Sequence, residues 1–396
     1  MNILIVCSCA EEYNTSSMLC LELLCKGFLE NGHKVVFVSP LPNKNNKYYN
    51  EKYFFEHENL THLRFGKTIE KIDNSLNNKK SIKNRIVNLL LKVYRSFDLF
   101  GKSIETLKYS NEIKEKIVSE SFEPDILFSA SDPKTSHILA SKIIDIFKKR
   151  PYYMQYWGDP LTLDIASRTL TPVFIRKRIE SSLLKKADKI IYVSPLTLSE
   201  QQNYFKEYSD KMEYRPTPCE IKTYKNSVGK CIGYFGSYNT SVRDIKQLYN
   251  AVNENKNYKL IIVGDSDLKL DSTEYVEVID RLPAAELERY YDICDIIVDL
   301  TNNFGAQIPA KIFRDAGTNK EVLLICNAEN GGDVKNYFSQ FNRFTICENS
   351  CESIIAALEN YNKNGIPERV ALKDFNYLNV SRSIIDILNE RNTNNG

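Results

Sequence analysis

Short runs of consecutive apolar residues recur along almost the whole chain, separated by longer stretches in which apolar positions fall every third or fourth residue. The runs are rich in Ile, Val, Leu and Phe and show little alternation. That is the pattern of strands covered on both faces in a parallel sheet. The stretches between them read as crossover helices. In the first half the pattern predicts strands at 2–7, 34–39, 125–129, 152–155 and 189–193, with helices near 15–30, 135–148, 173–186 and 196–205. In the second half it predicts strands at 231–235, 259–263, 276–278, 296–300, 322–325 and 344–346, again with helices between. Such alternation implies an α/β protein of two Rossmann-like, doubly wound parallel-sheet domains facing each other across a cleft.

A composition shift separates the halves. Arg215-Pro216-Thr217-Pro218 cannot continue a helix or a central strand. The reading therefore gives an N-terminal domain over 1–213, a linker over 214–229 and a C-terminal domain over 230–375. The remaining segment, 376–396, carries an apolar stripe at Ile384, Ile385 and Leu388 that needs a surface to cover it. It is expected to return to the N-terminal domain as a helix.

One segment breaks the rhythm. Between 74 and 120, Ile82, Ile86, Leu89, Leu90 and Val93 line one helix face among Lys79, Lys80, Lys83, Arg85, Lys92, Arg95 and Lys102. A basic amphipathic helix near 79–102 suits contact with an anionic membrane surface. An ordinary helix packed on its own domain has the same pattern.

Charge and composition narrow the picture only slightly. The 396 residues carry a formal net charge of +2, which argues against nucleic-acid binding by bulk charge. The start, Met1-Asn2-Ile3-Leu4-Ile5-Val6-Cys7, is too short and too poor in basic residues for a signal peptide. No apolar run approaches a membrane span. The 10 cysteines are scattered, without a Cys-x-x-Cys pair, so zinc is not expected and a reducing cytoplasm fits. His33, His57, His62 and His137 show no catalytic spacing.

The most informative stretch is Asn303-Phe304-Gly305-Ala306-Gln307-Ile308-Pro309-Ala310-Lys311-Ile312-Phe313-Arg314-Asp315. It follows the predicted strand 296–300, enters a helix with Pro309 near its start, and leads to the strand 322–325. Its loop lies at the carboxyl end of a strand, where open α/β sheets bind ligands. Lys311 stands in the first helical turn, where a cation opposes the helix dipole and suits a nearby phosphate.

Four pieces together resemble a known family. These are the opening strand and polar loop over 2–17; Tyr156-Trp157-Gly158-Asp159-Pro160; Gly233-Tyr234-Phe235-Gly236-Ser237-Tyr238 with Arg243-Asp244-Ile245; and Arg281-Leu282-Pro283 with the run from Cys294-Asp295 to Phe313. In this order they resemble the GT-B glycosyltransferases, and within them the retaining family 4 enzymes of bacterial surface-polysaccharide assembly. The resemblance implies transfer of a sugar from a nucleotide-sugar donor to a glycan or lipid-linked glycan. It implies retention of anomeric configuration, no metal and no cofactor beyond the co-substrate. The cysteine usage and the basic helix near 79–102 place the protein, as an expectation, in the cytoplasm and peripherally at the inner membrane face. The donor is expected in the C-terminal domain, at Gly236, Ser237, Arg243, Arg281, Leu282, Gln307, Ile308 and Lys311. Asp159, and secondarily Asp132 in Ser129-Ala130-Ser131-Asp132-Pro133, are the candidate catalytic carboxylates. Asp265-Ser266-Asp267 is the nearest approach to an Asp-x-Asp motif and reads as a donor-side loop.

The sequence departs from the family at telling places. Two glutamates eight positions apart are common there, the second contacting the donor ribose. The corresponding positions hold Ala306 and Arg314. Asp315 is adjacent, but turned about 100° round the helix. The opening loop, Ser8-Cys9-Ala10-Glu11-Glu12-Tyr13-Asn14, lacks a paired glycine. Arg314 is a candidate partner for a phosphate or an acidic sugar. Two alternatives remain open beside the transferase: a non-catalytic partner subunit of the same fold, and a nucleotide-sugar epimerase.

Overall fold

The computed structural model describes residues 1–51, 55–70, 96–225, 230–327 and 331–394. They form two compact units, Met1–Arg215 with Ser381–Gly396, and Pro216–Val380. Each unit is built on one parallel sheet. The first sheet holds β1 (Asn2–Val6), β2 (Lys34–Pro40), β3 (Leu60–Phe65), β4 (Ile126–Ala130), β5 (Tyr152–Trp157), β6 (Lys189–Tyr192) and β7 (Met212–Tyr214), in the order β3-β2-β1-β4-β5-β6-β7. The second holds β8 (Cys231–Phe235), β9 (Lys259–Val263), β10 (Val276–Ile279), β11 (Ile296–Leu300), β12 (Glu321–Cys326) and β13 (Phe344–Glu348), in the order β10-β9-β8-β11-β12-β13.

In both sheets the strand order runs one way from the first strand and the other way from the fourth. The reversal leaves a crevice between β1 and β4 in the first unit and between β8 and β11 in the second. Those are the topological switch points at which doubly wound sheets bind ligands, outside the carboxyl ends of the strands.

The central strands β1, β4, β8 and β11 are buried almost throughout, which explains their unalternating apolar sequences. Helices form where the periodicity places them and where a cap starts them. Thr15 opens the helix Ser16–Glu30 by accepting from the Met18 N–H, and Ser194 opens Pro195–Tyr204 by accepting from Thr197. In the second unit, Phe313, Phe338, Phe341, Phe344 and Phe375 pack edge to face and tilted on one another.

The hydrophobic pattern does not predict β3 or β7. β3 carries His62 and Arg64 between its buried apolar residues, so it reads as polar. Both side chains are engaged by carboxylates of the opening loop. Arg64 Nη2 donates to Glu12 at 2.7 Å, and His62 Nδ1 lies 3.0 Å from Glu11, whose other oxygen accepts from Ser39 at the end of β2. Glu11 and Glu12 are both buried. The loop that lacks a glycine pair is thus held by buried charge. Glu11 also raises the pKa of His62 through their hydrogen bond.

Most of the basic amphipathic stretch, 79–95, lies outside the described residues. Its last member, Lys102, is exposed in a 3-10 helix over Gly101–Tyr109. The final helix, Tyr377–Asn394, buries Ile384 and Ile385. Within the first unit, Ser381 Oγ approaches the Leu24 carbonyl at 3.4 Å and Arg215 Nε donates to the Ser383 carbonyl at 3.2 Å. Among the described residues no helix is long and apolar enough to cross a membrane.

Candidate functional site

At the switch point of the second unit, the strand ends bring five of the candidate donor residues together. Gly236 follows β8 with φ +152°, and a Cβ built there would stand 3.4 Å from Cδ of Lys311. Arg243 is fixed from two sides: Nε donates to Asn302 Oδ1 at 2.8 Å, and Nη1 to the Ser237 carbonyl at 3.3 Å. Asn302 in turn donates to the Gln307 carbonyl at 2.7 Å. A chain of hydrogen bonds therefore links the loop after β8 to the loop after β11, with the Arg243 guanidinium at its centre.

Lys311 differs from its expected state. The sequence places it on the first turn of a helix as a cation facing an anion. The helix Ala310–Ala316 has only 7 residues, and Lys311 is buried inside the switch point. Its Nζ lies 3.3 Å from Oδ1 of Asp299 and 3.5 Å from the centre of the Tyr234 ring. The physical reason is the residue at the end of β11. Asp299 is fully buried, and a buried carboxylate draws in the nearest ammonium. Neither Asp299 oxygen nor Lys311 Nζ has a hydrogen-bond partner of good geometry among the described residues. Only charge and the ring face hold the ammonium. Burial, then the charge of Asp315, pushes the Asp299 carboxyl up to about 6, against the opposing effect of Lys311 and Arg314.

Ile308 and Ala306 are both buried on the loop that leads into this helix. Arg314 is turned elsewhere. It forms a two-pronged pair with its neighbour Asp315, at 2.8 and 3.2 Å, and Asp315 also accepts from the Tyr291 hydroxyl at 2.6 Å. Arg281 is exposed beyond β10 and pairs with Asp265 at 3.4 Å, while Leu282 beside it is half-buried. In the Asp265-Ser266-Asp267 loop, Asp267 accepts from the Thr240 N–H and hydroxyl.

The first unit gathers a different chemistry at its own switch point. Ser8, after β1, is tied to the start of the helix Thr135–Ile143: its N–H donates to Ser136 Oγ at 3.0 Å and its hydroxyl lies 2.5 Å from that of Thr135. Asp132, after β4, accepts from Lys134 Nζ at 2.9 Å, and Asp164 accepts from the same ammonium at 3.2 Å. Lys134 is buried. Burial opposes its charge, but the carboxylates of Asp132, Asp164 and Asp159 outweigh burial and raise its pKa. Asp132 is therefore neutralised by a lysine two residues on, a partner that the sequence reading did not name. Among the described residues no group of three or more His, Cys, Asp or Glu is arranged to hold a metal ion.

Asp159 sits half-buried in the turn after β5. The turn is held from below by Glu180, which accepts from the N–H groups of Leu161 at 3.1 Å and Thr162 at 2.7 Å. Arg176 donates to the Thr162 carbonyl at 2.8 Å. His137 has no part in such chemistry. It is fully buried, stacked on Trp157 at 4.2 Å and bonded to Ser129 at 2.7 Å, and burial lowers its pKa to about 3.

No protein-family model matches the chain. No curated protein matches it either. Solved structures do. The chain aligns with sucrose-phosphate synthase from Thermosynechococcus elongatus at TM-score 0.66 and 10% identity, over 99% of each chain. With the Anabaena protein HepE in complex with UDP and glucose the TM-score is 0.57 and the identity 12%, over 98% of this chain and 100% of that one. With the catalytic domain of Starch Synthase IV from Arabidopsis thaliana, bound to ADP and acarbose, it is 0.58 and 9%, over 96% and 94%. These neighbours are glycosyltransferases of the GT-B fold, and the full-length likeness shows that fold for this chain.

Proposed function

We propose that this protein is a glycosyltransferase that moves a sugar from a nucleotide-sugar donor to a glycan or lipid-linked glycan, in the manner of the retaining family 4 enzymes. The observation that carries the reading is Lys311: a buried ammonium without a hydrogen-bond acceptor among the described residues, beside Gly236 at the β8/β11 switch point. A diphosphate supplies the missing acceptors. Arg243, already oriented by Asn302 and Ser237, offers its remaining N–H groups to the same anion. The two cations would stabilise charge building on the leaving diphosphate, the role a metal plays in other transferases. Two of the solved neighbours are described as bound to UDP or ADP, which supports a nucleotide ligand for this chain.

In this reading Asp159 accepts a hydrogen bond from the attacking hydroxyl or steadies positive charge at the anomeric carbon. Asp132 is secondary, because Lys134 holds it. The base contacts fall to Arg281 and Leu282 and the phosphate and sugar contacts to Gln307 and Ile308. Arg314, locked to Asp315, takes no direct part. The place of work is the cytoplasmic membrane face, where a lipid-linked acceptor lies.

Thermal-shift and calorimetric titration with UDP, ADP, GDP and CDP tests the donor site, since a ligand of the native state raises its melting temperature. Release of nucleoside diphosphate from the matching nucleotide sugar, unaffected by a chelator and with retained configuration in the product, completes the test. Binding without turnover on any acceptor favours the partner-subunit reading, to which Ala306 and Arg314 in place of the glutamates lend weight. No shift with any nucleoside diphosphate overturns the proposal.

A further inference from the structure

The first unit carries an exposed apolar patch that neither sheet uses. Leu170 is 64% exposed, Phe174 72% and Phe97 51%, and Val173 and Ile175 are exposed beside them. The patch is continuous. The Leu170 N–H donates to the Ser96 carbonyl at 2.6 Å, and the Thr171 hydroxyl to the Phe97 carbonyl at 2.7 Å, so the loop before the helix Val173–Leu184 is clasped to the turn that carries Phe97. Three consecutive large apolar residues on the first turn of a helix, all facing outward, contradict the ordinary amphipathic pattern. Single exposed apolar residues need no explanation, but a contiguous group of this kind marks an interaction surface.

The charge around it identifies the partner. From Ile165 to Ile179 there is no Asp or Glu, while Arg168, Arg176, Lys177 and Arg178 supply 4 cations. Arg168, Lys177 and Arg178 are exposed. Outward aromatic and aliphatic side chains flanked by exposed cations match the boundary between acyl chains and anionic headgroups. The one carboxylate next to them in sequence, Asp98 after Phe97, is engaged by the N–H groups of Phe100 and Gly101. An acidic protein partner would satisfy the cations, but a bilayer satisfies the cations and the outward apolar side chains together without requiring a surface of complementary shape.

We propose that the surface formed by Phe97, Leu170 and Val173–Ile175, with Arg168 and Arg178, docks this protein on an anionic lipid bilayer. The apolar side chains enter the headgroup boundary, and the guanidinium and ammonium groups remain among the phosphates. The inference deepens the membrane location proposed above by giving it a surface; it is argued from exposure and charge, so its failure leaves the sugar-transfer reading standing.

Co-sedimentation of the full chain with phosphatidylcholine vesicles, with and without phosphatidylglycerol, tests it. The chain is expected to sediment with the anionic vesicles and to be released as salt rises. Replacing Leu170→Asp and Phe174→Asp together is expected to lower partitioning by roughly tenfold or more, and Arg168→Gln with Arg178→Gln to lower it on anionic vesicles only. All four positions are exposed, so melting temperature is expected to be unchanged, and nucleoside-diphosphate binding with it. Failure to sediment with anionic vesicles overturns the proposal. So does undiminished sedimentation of both double variants, which would place membrane contact elsewhere on the chain. Self-association seen by light scattering, lost in the Leu170/Phe174 variant, would assign the patch to a second copy and also overturn it.

Discussion

Lys311 and Asp299 form a buried ion pair with no hydrogen bond between them, Nζ standing 3.3 Å from Oδ1. The pair lies where β11 ends, on the crevice side of the second unit's sheet. A buried ion pair recovers its desolvation cost only when its remaining donors and acceptors are satisfied. Here they are not, and the ammonium keeps donors free for an incoming anion. That anion and Asp299 then compete for the same cation.

The competition makes donor binding depend on pH. Burial pushes the Asp299 carboxyl up to about 6, so acid removes the competing charge. A nucleotide sugar carries its phosphates as diesters and has no ionisation near about 6 of the kind a terminal phosphate has. Its affinity is expected to be higher at about pH 5 than at about pH 8, with proton uptake on binding. UDP-glucose titrated calorimetrically in buffers of different ionisation enthalpy measures both. Asp299→Asn should flatten the profile. Nucleotide-sugar affinity that stays pH-independent in the wild type would refute the competition.

Folding stability carries the same signature with its own sign. The ordinary Asp value is 3.8, and the folded value is raised to about 6. Between them the folded chain keeps a proton that the unfolded chain has released. The contribution of this group is therefore full below about pH 4 and is lost as pH rises through 6, by roughly 3 kcal/mol in all. Urea melts of wild type and Asp299→Asn at the two ends of this window should differ in that direction.

Removing one member of the pair should harm folding more than removing both. Lys311→Met leaves a buried carboxylate alone, at a cost of about 3–5 kcal/mol, whereas Lys311→Met with Asp299→Asn should recover most of that loss. Diphosphate binding should stay impaired in both. Arg243→Ala is the cleaner probe of binding, because among the described residues the Arg243 side chain is tied to Asn302 and the Ser237 carbonyl and to no charged group. It should weaken nucleoside-diphosphate binding by about 1.5–3 kcal/mol and leave nucleoside binding almost unchanged.

Much of the fold was legible because its central strands are buried on both faces and advertise themselves as unbroken apolar runs. β3 was not, because His62 and Arg64 look like surface residues until Glu11 and Glu12 are brought to them from fifty residues earlier. The same limit applies to the sites. Gly236, Ser237, Arg243, Gln307 and Lys311 could be read from their positions after strands. Asp299 was hidden inside an apolar run, and its pairing with Lys311 depends on how the chain turns between them. Lys134 passed unremarked beside Asp132, since nothing in the sequence says that its side chain folds back among three carboxylates.

The hidden network in the first unit is itself testable. Arg64 is shared by two buried carboxylates, at 3.4 Å from Glu11 and 2.7 Å from Glu12. Arg64→Met should strand Glu12 and leave Glu11 with His62 and Ser39, destabilising the unit by about 3–5 kcal/mol. Arg64→Lys keeps the charge but cannot reach both partners as a fork, and should recover only part of the loss. Equal denaturation midpoints for wild type and Arg64→Met would mean that the network is ornamental.

Asp159 and Glu180 separate chemistry from support. Asp159 is half-exposed on the turn after β5, so Asp159→Asn should leave melting temperature and donor affinity unchanged while turnover falls. Glu180 never meets the substrate in this reading. It accepts two backbone N–H groups at 3.1 and 2.7 Å and holds the turn that presents Asp159. Glu180→Ala leaves both donors buried and unpaired, which costs about 1–3 kcal/mol for each group. Glu180→Gln still offers one acceptor, so it should restore part of the stability and, with it, part of the turnover. A structural residue and a catalytic one are distinguished by that recovery: Asp159→Asn loses rate at full stability, whereas the Glu180 variants lose rate only in step with the order of the turn. Measuring turnover and denaturation midpoint side by side for the three variants decides it, and full turnover in Asp159→Asn would remove Asp159 from the mechanism.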